Sequence, residues 1–292
     1  MRADRLLPLC ATVAIVSWAS AYPLVRIALR DIPPVPLAAW RYAVAAVLAG
    51  LYLLVRRPPV PHGRDLVRLA ACGAVGIAAY NILFNCGEVS VSAGTASLII
   101  AAAPLLAGLL AVVVLGERLS ARGWAGSVLS FSGVALLAQG QAGGLRFGSG
   151  ATLVAGAALC AALYMVAQKP LLGRYGALPT TAYTLIAGAV FLSPALGQGA
   201  RALAHAPPTT WAAVLTLGIF PAALGYAAWG FVIGHLGAAR GMVLIYLLPP
   251  TTMVLAYGLT GETPTRATLV GGAIVMAGVV LATARRRRAV AA

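Results

Sequence analysis

Residues 93–136 read AGTASLIIAAAPLLAGLLAVVVLGERLSARGWAGSVLSFSGVAL, and residues 238–281 read AARGMVLIYLLPPTTMVLAYGLTGETPTRATLVGGAIVMAGVVL. The second stretch lies over the first without a gap, at a constant offset of 145. Pro104 meets Pro249, Gly116 meets Gly261, Glu117 meets Glu262, Gly126 meets Gly271 and Gly133 meets Gly278. Hydrophobicity alone matches leucine to leucine; it does not match prolines, glycines and an acid in one register. The stretch is therefore read as part of an internal duplication.

Working outward, each copy has room for five apolar helices. A bilayer-spanning helix needs roughly 20 apolar residues. Apolar runs between charges and turn residues predict spans at 6–28, 36–55, 67–87, 91–115, 121–139, 149–168, 179–200, 209–233, 237–260 and 265–284. Five is odd, so the second copy must enter the membrane from the opposite side. The expected fold is an all-α membrane protein of ten transmembrane helices in two inverted five-helix repeats, 1–139 and 149–288, around a central cavity.

Composition agrees that the solvent is a bilayer. Of 292 residues 61% are hydrophobic and 9% charged, with a mean hydropathy of +0.92. A soluble domain carries about a quarter of its residues charged. The formal charge is +15, from 21 Lys+Arg against 6 Asp+Glu. The basic residues punctuate apolar runs, which fits topology and anionic headgroups rather than nucleic acid. On the side of the N-terminus they number 15, including Arg56, Arg57, Lys169, Arg240 and the closing Arg285–Arg288, against 5 on the other. Both termini are therefore expected in the cytoplasm. The N-terminal run mimics a signal peptide up to Ala19-Ser20-Ala21, but apolar sequence continues through Val25, so it is read as helix one. Cys10, Cys72, Cys86 and Cys160 lie in apolar runs with no C-x-x-C spacing and read as buried thiols.

Four short motifs carry a family likeness: Trp18-Ala19-Ser20, Arg41-Tyr42, Leu115-Gly116-Glu117-Arg118-Leu119 and Thr260-Gly261-Glu262. With them the chain resembles the EamA-type ten-helix transporters of the drug/metabolite transporter superfamily, over essentially its whole length. The resemblance implies export of small metabolites, often amino acids, from the bacterial cytoplasm by alternating access. It also implies a multi-pass protein of the inner membrane.

Candidate residues come from polar and aromatic groups inside apolar runs. Asn81, Asn85 and Glu88 share one face of helix three, with Tyr80 and Phe84 beside them. Unpaired amides in hydrocarbon are costly, so this face should look inward. Glu88 itself is expected at the external end, in water. Helix one carries Trp18, Ser20 and Tyr22; helix six carries Tyr164 and Gln168; helix eight carries Tyr226 and Trp229; helix nine carries Tyr246. Such walls would suit a solute with an apolar side chain. Arg41, inside helix two, either snorkels outward or holds a substrate carboxylate. Pro104 and Pro249, read as mid-helix, are hinge candidates.

Membrane enzymes and ATP-driven pumps are excluded by motif, and a receptor or structural protein is disfavoured by the duplication and the paired prolines. H-E-x-x-H, G-x-S-x-G and G-K-[ST] are missing from the sequence, and no aspartate lies inside an apolar span. An enzyme is therefore not expected, nor any cofactor. The acids Asp4, Asp31, Asp65, Glu88, Glu117 and Glu262 all read as loop or helix-end residues, which predicts facilitated or exchange transport over strong proton coupling. The expected partners are a small-molecule substrate and a bilayer with anionic headgroups on the cytoplasmic side; a monomer is compatible with this reading. A broad multidrug exporter is the alternative, disfavoured because a cation carrier would place a carboxylate in its cavity.

Overall fold

The computed structural model describes residues 2–115, 120–140, 146, 149–236 and 244–283. Its elements in chain order are α1 (Arg2–Ala28), α2 (Pro34–Arg56), α3 (Gly63–Cys72), a π segment (Gly73–Ala79), α4 (Tyr80–Glu88), α5 (Ala93–Ile100), α6 (Ala103–Leu115) and α7 (Ala121–Gln139). There follow α8 (Gly150–Ala167), α9 (Lys169–Tyr175), α10 (Ala177–Leu192), a 3₁₀ turn (Ser193–Ala195), α11 (Leu196–Ala204) and α12 (Pro208–Ile219). The last are a second π segment (Phe220–Leu224), α13 (Gly225–Leu236), α14 (Leu248–Thr260) and α15 (Arg266–Thr283). Among the described residues, seven helical stretches are long and apolar enough to cross a membrane. Their outward faces are apolar: Leu54, Val113 and Val254 are more than two-thirds exposed, as expected of residues that meet lipid.

The prolines differ from expectation. Pro104 does not bend a continuous helix: α5 ends at Ile100, Ala101 and Ala102 form a turn, and Pro104 lies in the first turn of α6. Pro249 and Pro250 likewise lie in the first turn of α14. A residue without N–H costs no hydrogen bond there, because the first N–H groups of a helix lack intrahelical partners anyway. Elsewhere starts are fixed by hydroxyl caps: Ser92 accepts from the Thr95 amide and Ser120 from that of Gly123. Glu117, Arg240, the Arg285–Arg288 run and much of the glycine-rich loop after Gly140 lie outside the described residues.

Two π segments interrupt long helical columns, and they sit at matched places. Adding 145 to the ends of the first, Gly73 and Ala79, gives Gly218 and Leu224, against an observed Phe220–Leu224. In the second, Pro221 cannot donate to a regular ladder, so the turn widens.

Helix contacts obey the same register. α7 and α15 pack antiparallel at backbone distance. A Cβ on Gly126 would lie 2.5 Å from the Gly278 carbonyl oxygen, and one on Gly133 would lie 2.8 Å from that of Gly271. Exchanging the copies at the 145 offset turns each contact into the other. The same exchange relates Leu137 on Gly271 to Ala282 on Gly126, and Ser130 on Gly278 to Val275 on Gly133. Between larger elements, α4 packs on α8 where α13 packs on α1, and α6 on α8 where α14 packs on α1.

Candidate functional site

The aromatic candidates of different helices converge. The Trp18 ring lies 5.5 Å from Tyr226, edge-on at 71°, and 5.3 Å from Trp229. The Trp18 indole N–H donates to the Pro221 carbonyl at 3.0 Å, so the second π segment supplies the acceptor that fixes this ring. Tyr22 meets Phe84 edge-on at 5.3 Å, and Phe84 stacks on Tyr80 at 5.6 Å. Tyr164 lies over the first π segment, where a Cβ on Gly76 would fall 2.5 Å from its ring. Tyr80 is within electrostatic reach of Tyr22, Tyr42, Arg41 and Tyr226, and Tyr164 of Tyr42 and Tyr226. One neighbourhood thus holds side chains of α1, α2, α4, α8 and α13.

Its charge is Arg41. The residue is only 7% exposed and does not snorkel. Its Nη1 donates to Asn81 Oδ1 at 3.3 Å, its guanidinium lies 5.2 Å from the Tyr42 ring centroid, and its Nε has no partner. Packing against α4 holds it inward. Asn81 and Asn85 are fully buried on the face read from the sequence. Their amide N–H groups are committed to backbone, Asn81 to the Ile77 carbonyl at 2.7 Å and Asn85 to that of Pro34 at 2.9 Å. Asn85 Oδ1 remains without a partner.

Two candidates stand apart from this arrangement, and a third packs beside it. Ser20 donates back to the Ser17 carbonyl at 2.8 Å. Gln168 stands at the junction of α8 and α9, where its backbone N–H donates to the Tyr164 carbonyl. Tyr246 packs against the core cluster that contains Tyr22 and Phe84. Pro104 and Pro249 mark helix starts, as described above.

Glu88 departs most from its sequence reading: it is wholly buried, not bathed in water. Above it Arg26 of α1 pairs with Glu262, and its Nη1 donates to the carbonyls of Glu88 at 2.6 Å and Val91 at 2.7 Å. Glu262 also accepts from the Ala93 amide at 2.9 Å. A cavity of about 270 Å³ opens here, lined by Arg26, Arg30, Glu88, Thr260 and Glu262 among others. Sequence reading missed this mouth because Arg26 and Glu262 are 236 residues apart; only the matched Glu117 and Glu262 signalled that the acid mattered. A second unread cluster joins α3 to the end of α9. Asp65 accepts from Arg174 at 2.6 Å and from the Tyr175 hydroxyl at 2.8 Å. That hydrogen bond pushes the Arg174 pKa above its ordinary value. Among the described residues no group of His, Cys, Asp and Glu has a metal-holding arrangement.

A multi-pass helical membrane protein with polar and aromatic side chains converging in its interior is built like a carrier of small molecules. Comparison supplies the family: the EamA-like transporter family model matches residues 6–139 and again 148–284, and the chain belongs to that family. A probable terminal-alkyne amino-acid exporter of Streptantibioticus cattleyicolor is 42% identical over 283 residues, covering 94% of each chain. A probable amino-acid metabolite efflux pump of Salmonella typhimurium is 28% identical, covering 93% of this chain and 92% of that one. A solved crystal structure matches in fold with a TM-score of 0.62 at 22% identity, over 94% of this chain and 95% of the other.

Proposed function

We propose that this protein is a secondary carrier that exports small metabolites, most of all amino acids with apolar side chains, by alternating access. The observation that carries the reading is Arg41: a buried guanidinium with an unpaired Nε, beside Asn81 and within reach of the aromatic cluster. A cation there needs an anionic partner, and a substrate carboxylate is one. The rings of Trp18, Tyr22, Tyr80, Tyr164, Tyr226 and Trp229 would accept the apolar side chain. The name of the Streptantibioticus relative supports the same class of solute.

The site's charge weighs against a broad exporter of toxic cations, because Arg41 repels them. Alternating access needs two arrangements of similar energy, and an inverted duplication supplies them by exchanging the roles of its halves. The reciprocal contacts of α7 with α15, the matched π segments and the doubled family match support ten spans in two inverted repeats, and the Lys and Arg distribution supports both termini in the cytoplasm. The hinge role of Pro104 and Pro249 belongs to this proposal, since each stands in the first turn of a half-helix, where a proline sacrifices no intrahelical hydrogen bond.

The test is counterflow by the purified protein in liposomes, across labelled amino acids, nucleosides and cationic dyes. Saturable exchange of apolar amino acids, lost in Arg41→Gln, is the expected outcome. Dye transport without amino-acid exchange would replace this reading with the multidrug one.

A further inference from the structure

Glu88 is not used by the substrate site described above, and its position asks for an explanation. It is wholly buried at the end of α4, and both of its carboxylate oxygens lack a hydrogen-bond partner. An ionised carboxylate is not stable in such a place, since burial of an unpaired charge is among the largest penalties a fold can carry. The obvious cation is already committed. Arg26 pairs with Glu262 and gives its Nη1 to two backbone carbonyls, one of them that of Glu88 itself. The other charged group within reach is Arg41 of α2, engaged with Asn81; Tyr22 of α1 is the remaining titratable neighbour. α8, which packs against Gly87, brings Gly150 and Val154, which do not titrate.

We propose that Glu88 is a proton-binding site that is filled whenever the Arg26–Glu262 pair closes this mouth. The carboxylate takes a proton from hydronium in the cavity, giving a carboxylic acid and water, and the neutral acid can then be sealed beneath Arg26. When the pair opens, water reaches Glu88 and the proton can leave. Each closure of the mouth therefore binds a proton from the side onto which the cavity opens. This departs from the sequence expectation of facilitated or exchange transport over strong proton coupling, which rested on all six acids lying in loops or at helix ends. The proposal rests on the reading of the chain as a carrier that opens and closes here, but not on the identity of its substrate.

Two measurements separate the proton site from the substrate reading. The first needs no substrate: infrared spectra of the purified protein across a pH series. The chain has only six Asp and Glu, so protonated carboxyl bands are few. A carboxylic-acid C=O band should persist at neutral pH in the parent protein and vanish in Glu88→Gln. A neutral-pH spectrum without that band, or one unchanged in Glu88→Gln, overturns the proposal. The second is counterflow at matched internal and external pH, with whichever solute the parent carries. The parent should exchange several-fold faster in acid than in alkali. Glu88→Gln, permanently neutral, should be fast throughout, and Glu88→Asp should keep the slope. A slope retained in Glu88→Gln, or loss of solute binding in that variant, refutes the assignment.

Discussion

Arg41 would cost about 2.5–3.5 kcal/mol at a helix centre. Asn81 and the Tyr42 face offset part of this, but Nε is left over. A planar fork held by one amide is preorganised for a two-oxygen anion, and lysine is not its equivalent, because it keeps the charge and loses the fork. A charged hydrogen bond contributes about 1.5–3 kcal/mol. Arg41→Lys should therefore raise the counterflow KM for an amino acid by about 10- to 100-fold while leaving the thermal midpoint near that of the parent. An unchanged KM would move the carboxylate site elsewhere. The polar face of helix three was legible because Asn81 and Asn85 stand one turn apart in an apolar run. Glu88 was misread from the same pattern: its place at a helix end implies water, but the distant Arg26 and Glu262 lie across it.

Helices in lipid gain little from burying apolar surface against one another, so close backbone approach between small residues decides which of them pair. α7 and α15 meet in this way. At Gly133 a Cβ would lie 2.7 Å from the Val275 amide nitrogen and 2.8 Å from the Gly271 oxygen, and neither is a side chain that can step aside. Gly133→Leu should cost about 1–3 kcal/mol by overpacking. Gly108→Leu, in α6 where a Cβ meets nothing within 4 Å, is the matched control and should fall within about 0.5 kcal/mol of the parent. Thermal unfolding in detergent reads the difference, and equal shifts in both variants would mean that the glycines are not contact residues. At this scale the matched glycines of the sequence were already the contact surface. The π segments were not legible, because a widened turn depends on what packs against it: Gly73 and Gly76 look like any small residues until Ala187 and Tyr164 press on them. The prolines misled because one residue without N–H reads alike in a kink and in a first turn.

For the molecule as a whole the offset of 145 makes a comparison between its two ends. At this offset Arg26 falls on Leu171, whereas Glu262 falls on Glu117. In the carrier proposed above, the Arg26–Glu262 pair would favour the arrangement closed at this mouth. Exposed ion pairs contribute about 0–1 kcal/mol. This pair is only partly exposed, at 30% and 20% of its side chains, and backbone bonds to Glu88, Val91 and Ala93 reinforce it. Removing it should shift the balance toward the form open at this mouth by about 1–1.4 kcal/mol, a factor of roughly five to ten. A single cysteine at Tyr22, one turn below Arg26 in a background without the four native thiols, reports the opening to a water-soluble thiol reagent. Glu262→Gln should speed its labelling by that factor and Arg26→Gln by at least as much. Leu171→Ala, at the other end, should leave it unchanged. Equal labelling in all variants would make the pair a rigid tie.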